Sequence, residues 1–257
     1  MGDRYRRPEH WLEADWEAKA RENPLLAIMT TPEMAEAPAE AFSGELLEEF
    51  FARGRKLFDQ HLRPLLADAP EGPVVEYGCG AGRIMKAVID SGRPCAGIDI
   101  SPTMLERCSE LLPEAQALYL LSAEGRCAAP DGLAALVYSY SVLQHISTLG
   151  AYVTALDEMC RILASGGRMA IQVNSEDFKE GLEAPPYRTE NFETYSLHYR
   201  PTRTKVYKRH EQDHWSGVYI GYDLLVRLLA ERGVRAERWY YHNPRKLRAL
   251  WVIGRKA

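Results

Sequence analysis

Residues 74–83 read Val-Val-Glu-Tyr-Gly-Cys-Gly-Ala-Gly-Arg. The apolar run at 73–77 predicts a strand. Glycines at every second position after it let the backbone turn tightly and approach a ligand closely. A helix predicted over about 81–91 follows, and its first turn presents unpaired N–H groups. Strand, glycine loop and helix in this order belong to an open α/β sheet. Such sheets bind ligands outside the carboxyl ends of their strands.

The rest of the chain carries the same rhythm. Strands are predicted at 94–99, 117–121, 133–140 and 168–173, with Gly166-Gly167 turning the chain into the last of these. Between them, Ser101 is a natural N-cap with Pro102 at the first helical position, and 151–164 is helical. A helix at 222–232 stops at Gly233, and strands at about 234–242 and 248–254 would close the chain as an antiparallel hairpin. Strands alternating with helices imply a mainly parallel sheet covered on both faces. Ahead of this domain, 11–29 reads as a helix broken near Pro24. Residues 43–66 read as an amphipathic helix capped by Ser43 and closed near Pro64 and Ala67. The expected organisation is an N-terminal helical extension or lid at 1–69 and an α/β domain at 70–257. That domain is interrupted at 174–215 by a segment expected to cap a substrate.

Two acids narrow the ligand. Glu76 ends the first strand directly before the glycines, and Asp99 ends the second, 17 residues after Gly82. The dinucleotide fingerprint is G-x-G-x-x-G or G-x-G-x-x-A. Here the spacing is G-x-G-x-G, and Arg83 stands at the fingerprint's last position. A carboxylate at Glu76 would repel a pyrophosphate but attract an ammonium group. Asp99 is placed to accept the hydroxyls of a ribose. The pair favours a ligand with a ribose and a positive charge but no phosphate.

These residues carry a resemblance. E-x-G-x-G-x-G followed by I-D-I-S-P-x-M-L is similar to motifs of the class I, Rossmann-like S-adenosylmethionine-dependent methyltransferases, over about 70–173 and more loosely to the C-terminal hairpin. The resemblance implies a seven-stranded sheet, S-adenosylmethionine as cofactor and S-adenosylhomocysteine as product. It implies that Glu76 holds the methionyl amino group and that Gly78, Gly80 and Gly82 line the methionyl and sugar groups. Asp99 would bind the ribose, and Ile100 and Met104 would flank the adenine. Ser122 and Ala123, in Leu-Ser-Ala-Glu at 121–124, match the adenine-edge motif. Ser122 stands where the family commonly has an acid, and Ala135 takes the place of another.

Methyl transfer from a sulfonium needs alignment and exclusion of water above all, and an oxygen nucleophile also needs a base. The fourth strand ends in Tyr138-Ser139-Tyr140-Ser141-Val142-Leu143-Gln144-His145. His145 is the first candidate base, because an unperturbed imidazole titrates at about 6.5; the alternative is a local structural role. Tyr138 and Tyr140 are expected on opposite sides of the strand. Tyr140, nearer the edge, is preferred as the catalytic one, and Tyr138 joins the donor set. The segment 175–215 interleaves Phe178, Tyr187, Phe192, Tyr195, Tyr199, Tyr207 and Trp215 with basic residues. That composition suits a sugar or another polyhydroxylated acceptor, or a small core of its own. Trp11 and Trp16 would line a lid or anchor the extra helices.

Composition sets the limits. Net charge is −4 and the pI about 6.0, so nothing argues for a nucleic-acid partner. No apolar run nears the roughly 20 residues that cross a bilayer, and residues 1–15 hold no signal-peptide core, so the expected address is the cytoplasm. Five cysteines without a C-x-x-C read as reduced thiols. No metal-ligand spacing stands out. The expected activity is methylation of a small-molecule acceptor, at a hydroxyl of a sugar or natural-product intermediate. Amine methylation, use of the donor without methyl transfer, and a non-catalytic binding module stay open, as does oligomeric state.

Overall fold

The computed structural model describes residues 11–22, 44–146, 148–174, 205–207, 217–241 and 249–257. Seven strands form one mixed sheet. In chain order they are β1 (Val74–Tyr77), β2 (Cys95–Asp99), β3 (Ala117–Leu120), β4 (Ala134–Ser139), β5 (Leu163–Asn174), β8 (Val234–Tyr241) and β9 (Ala249–Lys256). Their spatial order is β3-β2-β1-β4-β5-β9-β8. The pairs β2–β3, β1–β4 and β4–β5 are parallel, whereas β5–β9 and β8–β9 are antiparallel. This is the Rossmann-like sheet with its C-terminal hairpin. The order reverses between β1 and β4, where open α/β sheets bind ligands. Strands β6 (Lys205–Tyr207) and β7 (Gly217–Tyr219) make a separate antiparallel pair.

The described residues group into two compact units, one within 1–59 and 78–128, the other within 60–77 and 129–257. The first holds α1 (Trp11–Glu22), α2 (Glu45–Leu57), α3 (Met85–Asp90), α4 (Pro102–Leu111), β2 and β3. Its core includes Phe50, Ala81, Ile84, Met85, Ile98 and Cys108. The second holds β1, β4, β5, β8 and β9 with α5 (Leu149–Ile162) and α6 (Tyr222–Glu231). Every residue of β1 and β4 is buried, as expected of strands covered on both faces. Thr148 caps α5 through the Ala151 N–H.

Several boundaries differ from the sequence reading. The N-cap of α2 is Gly44, not Ser43, which lies outside the described residues. That predicted helix does not run regularly to 66: it loosens into a π turn at Phe58–Leu62 and tightens into a 3-10 turn at Arg63–Ala67, where Pro64 fits the first turn. α3 is shorter than 81–91, because residues 80–84 spend their backbone on the glycine turn. β5 begins at Leu163, so Gly166-Gly167 lie inside the strand; the β4–β5 register shifts between Ala134 and Leu136 to absorb them. α1 is described to Glu22, and the predicted break near Pro24 lies outside the described residues. Of the segment 174–215, only Asn174 and β6 are described, and β7 just beyond it was not foreseen.

Candidate functional site

In the first unit, the glycine loop is fixed by its neighbours on both sides. Gly78, Gly80 and Gly82 have φ of +78°, +51° and +83°, a region that L side chains rarely adopt. The Ile98 carbonyl accepts the N–H groups of Gly78 and Cys79 at 2.7 and 3.0 Å, and the Cys79 carbonyl accepts that of Gly82 at 2.9 Å. A Cβ on Gly82 would stand 2.4 Å from Leu112 Cδ1 and 2.9 Å from Cys108 Sγ, so close packing against the end of α4 accounts for this glycine.

Asp99 stands at the end of β2 and faces this loop. Its Oδ2 accepts the Gly80 N–H at 2.7 Å, and its Oδ1 accepts the Ser101 N–H at 3.0 Å. Burial pushes the carboxyl above its ordinary value of 3.8, against the pull of the Ser101, Gly80 and Ile100 N–H groups. A carboxylate has about four acceptor sites, so beside these three N–H groups it keeps capacity for a further donor. That geometry fits a ribose hydroxyl. Ser101 is the N-cap of α4, its Oγ accepting the Met104 N–H at 3.2 Å. Met104 is buried and Ile100 half-buried. Ser122 is exposed in a turn closed by its N–H to the Arg126 carbonyl at 2.7 Å, and Ala123 is half-buried.

Glu17, on α1, was missed by the sequence reading. Its Oε2 accepts the Ser101 Oγ–H at 2.6 Å, and its Oε1 accepts the Thr103 Oγ1–H at 2.7 Å. The Thr103 N–H and the Arg21 guanidinium add two more bonds. Burial pushes the Glu17 carboxyl up, but these donors outweigh it and lower it to about 2. No sequence pattern links positions 84 and 86 residues apart. Trp16 is half-buried under the Lys19 ammonium, 4.7 Å from its ring centroid, and the Trp11 side chain lies outside the described residues.

In the second unit, Glu76 is buried and paired in register with Tyr138 of β4. The Tyr138 hydroxyl donates to Glu76 Oε2 at 2.8 Å. Tyr138 and Tyr140 do not take opposite sides. Residues two apart share a face of a strand, and the contacts agree. Tyr138 registers with Ala170, two positions from Gln172, which pairs with Trp251; Tyr140 stacks on that Trp251 with centroids 5.7 Å apart. Tyr140 also lies just past the end of β4. Next to it, Ser141 holds φ at +60°, steadied by its N–H to Gln172 Oε1 at 2.9 Å. Sequence reasoning missed Gln172, a buried polar position in the apolar run 169–173 of β5. It also missed the buried His61, whose Nδ1 lies 2.7 Å from the Tyr240 hydroxyl.

His145 ends the 3-10 turn Leu143–His145 and is half-buried. Its Nε2 lies 3.2 Å from Gln144 Nε2. One residue on, the Ile146 carbonyl accepts the Val218 N–H of β7 at 2.9 Å, and the Asn174 carbonyl accepts that of Ile220 at 3.0 Å. The chain returning from the 174–215 segment is therefore joined to the turn after β4 and to the end of β5. Among the described residues, no group of three His, Cys, Asp or Glu could hold a metal ion, and no helix is long and apolar enough to cross a membrane.

Comparison with known proteins agrees with this architecture. Residues 75–171 match the family model described as "Methyltransferase domain". No curated protein matches in sequence. Among solved structures, the chain is similar to a S-adenosylmethionine-dependent methyltransferase of Leishmania major, with 16% identity and a TM-score of 0.58 over 100% of this chain and 87% of that one. It is similar to one of Methanosarcina mazei at 14% identity and a TM-score of 0.54, over 76% and 98%. A third is the putative methyltransferase of Haloferax volcanii solved with the Trm112 methyltransferase activator, at 16% identity and 0.50, over 80% and 97%. The matched segment runs from β1 through the glycine loop and Asp99 into β5, and the seven-stranded sheet has the Rossmann-like fold of the S-adenosylmethionine-dependent methyltransferases that the chain is similar to.

Proposed function

We propose that this enzyme transfers the methyl group of S-adenosylmethionine to a hydroxyl of a small molecule, a sugar or natural-product intermediate, with His145 as the base. When bound, the donor supplies a methyl group already activated on a positive sulfur. The chain's part is to hold that group, align the acceptor with it, keep water out and remove one proton. In this reading Asp99 accepts the ribose hydroxyls and Glu76, steadied by Tyr138, faces the methionyl ammonium. Gly78, Gly80 and Gly82 admit the sugar and methionyl chain, while Ile100, Met104, Ser122 and Ala123 surround the adenine. The Tyr140 ring walls the acceptor side.

One observation carries the choice of His145. The turn it ends is hydrogen-bonded through Ile146 to β7, the strand to which the chain returns from the 174–215 segment. Acceptor contacts concentrate on loops and turns of this kind, held by a rigid scaffold. Five cysteines that form no disulfide support a cytoplasmic address within the same reading.

A second reading, amine methylation, has its own support. Gln144 Nε2 sits 3.2 Å from His145 Nε2. An amide N–H donated there occupies the lone pair that a base needs, and a neutral amine needs no base to attack. His145→Gln separates the two. Hydroxyl methylation predicts a fall in kcat of about a hundredfold or more, with S-adenosylhomocysteine as product. A fall of less than about threefold with the donor KM unchanged would favour the amine. Methylthioadenosine as the product would exclude both.

A further inference from the structure

Ser101 lies two residues beyond Asp99 and makes three bonds at once. Its N–H donates to Asp99 Oδ1, its Oγ accepts the Met104 N–H that caps α4, and the same hydroxyl donates to Glu17 Oε2. Thr103, the next residue but one, gives both its hydroxyl and its N–H to Glu17. Ser101 is fully buried, and only 15% of the Glu17 side chain is exposed. A carboxylate at the first turn of a helix is favoured by the unpaired N–H groups and the dipole there. Here the carboxylate comes from another helix, α1, so the cap is also a tether. The residues it holds lie in the loop Asp99–Ser101 and the first turn of α4.

We propose that Glu17 is a positioning residue for the methyl donor. By holding Ser101 and Thr103, it fixes the loop that aims Asp99, and it thereby couples the docking of α1 to occupation of the donor site. The inference rests on Asp99 as the ribose acid, and it goes beyond that reading by giving the N-terminal helix a part in donor affinity. Coupling between two sites is reciprocal. If α1 holds the Asp99 loop in its binding form, then donor held at Asp99 holds α1 in place.

The test uses the full chain, S-adenosylhomocysteine as the probe, calorimetry for affinity and hydrogen exchange for α1. In the wild type, saturating S-adenosylhomocysteine should slow amide exchange across Trp11–Glu22. Glu17→Gln puts an amide donor where the site has only donors, and should weaken binding about tenfold, the loss expected for charge-assisted hydrogen bonds. The ligand should then no longer slow exchange in α1. Thr103→Val keeps the shape, removes one hydroxyl and should weaken binding about threefold. It serves as the second variant should Glu17→Gln fold poorly. A merely structural contact would lower thermal stability without making α1 exchange respond to ligand. Wild-type affinity in both variants, or α1 exchange indifferent to ligand in the wild type, would overturn the coupling alone. No binding by the folded wild type would overturn the donor-site reading and the coupling together.

Discussion

Asp99 Oδ2 and the Gly80 N–H stand 2.7 Å apart, so the acid at the end of β2 holds the middle of the glycine loop directly. In the proposed function Asp99 has two tasks: it orders the loop and it offers its remaining acceptor capacity to the ribose. Asp99→Ala should therefore lower S-adenosylhomocysteine affinity about a hundredfold, as two charge-assisted hydrogen bonds are lost. Calorimetry on the variant, with circular dichroism to verify folding, reads this out. An unchanged affinity would remove Asp99 from the donor site.

The same carboxylate sets a pH dependence. Burial raises the Asp99 pKa above 3.8 in the fold, so on acidification the folded protein takes up this proton before the unfolded chain does. Ionised Asp99 therefore costs the ligand-free fold some stability, a cost relieved as pH falls through the raised value. Ligand binding runs the other way, because it uses the ionised form. Affinity should fall with decreasing pH, with a midpoint above 3.8. Glu17 behaves oppositely: with its carboxyl lowered to about 2 from 4.5, its contribution is full above pH 4.5 and is lost as pH falls toward 2. Fluorescence titrations of affinity against pH should thus show the Asp99 limb while Glu17 is still charged.

Tyr138→Phe removes the hydroxyl that donates to the buried Glu76 at 2.8 Å. The phenyl ring keeps the packing of β4, so the loss isolates one donor to a buried carboxylate. Stability in urea should drop by about 1–3 kcal/mol, and donor affinity should weaken as Glu76 loses its fixed orientation. A variant as stable as the wild type would show that the pair contributes nothing net.

Gly54 is a packing constraint that the sequence reading passed over. It lies in α2, and a Cβ there would come within 1.9 Å of the Arg83 carbonyl oxygen. The contact is with backbone, which cannot swing aside as a flexible side chain can. Gly54→Ala, a substitution that favours an isolated helix, should here destabilise by about 3 kcal/mol or more. Thermal unfolding checks the sign. A rise in Tm would mean that α2 and the glycine loop do not pack this closely.

Much of the architecture was legible in the sequence because its causes are local. The alternation of apolar runs with the Ser101-Pro102 cap marks strands and helices by periodicity and capping, and β1, β2, β4 and α4 fall close to where those signals put them. Boundaries failed where local signals compete. Gly166-Gly167 looked like a turn that precedes the strand, yet they lie inside β5, where its register with β4 skips from Leu163 to Arg168. Residues 81–84 looked helical, yet they continue the glycine turn, the Gly82 N–H bonding back to the Cys79 carbonyl.

By itself the sequence determined the alternating α/β fold, the glycine loop and the two acids near the ends of β1 and β2, though Tyr77 and not Glu76 closes β1, because each follows from residues within a few positions of one another. Only the tertiary structure decided what those acids touch. It paired Glu76 with Tyr138, seated Asp99 on Gly80 and Ser101, stacked Tyr140 on Trp251, and brought Glu17 to Ser101 and Thr103. Apart from the local Asp99–Ser101 bond, these contacts join positions from 19 to 111 residues apart, and no periodicity encodes them. They are fixed by the packing of whole elements, which matches a donor to an acceptor only once helices and strands have taken their places.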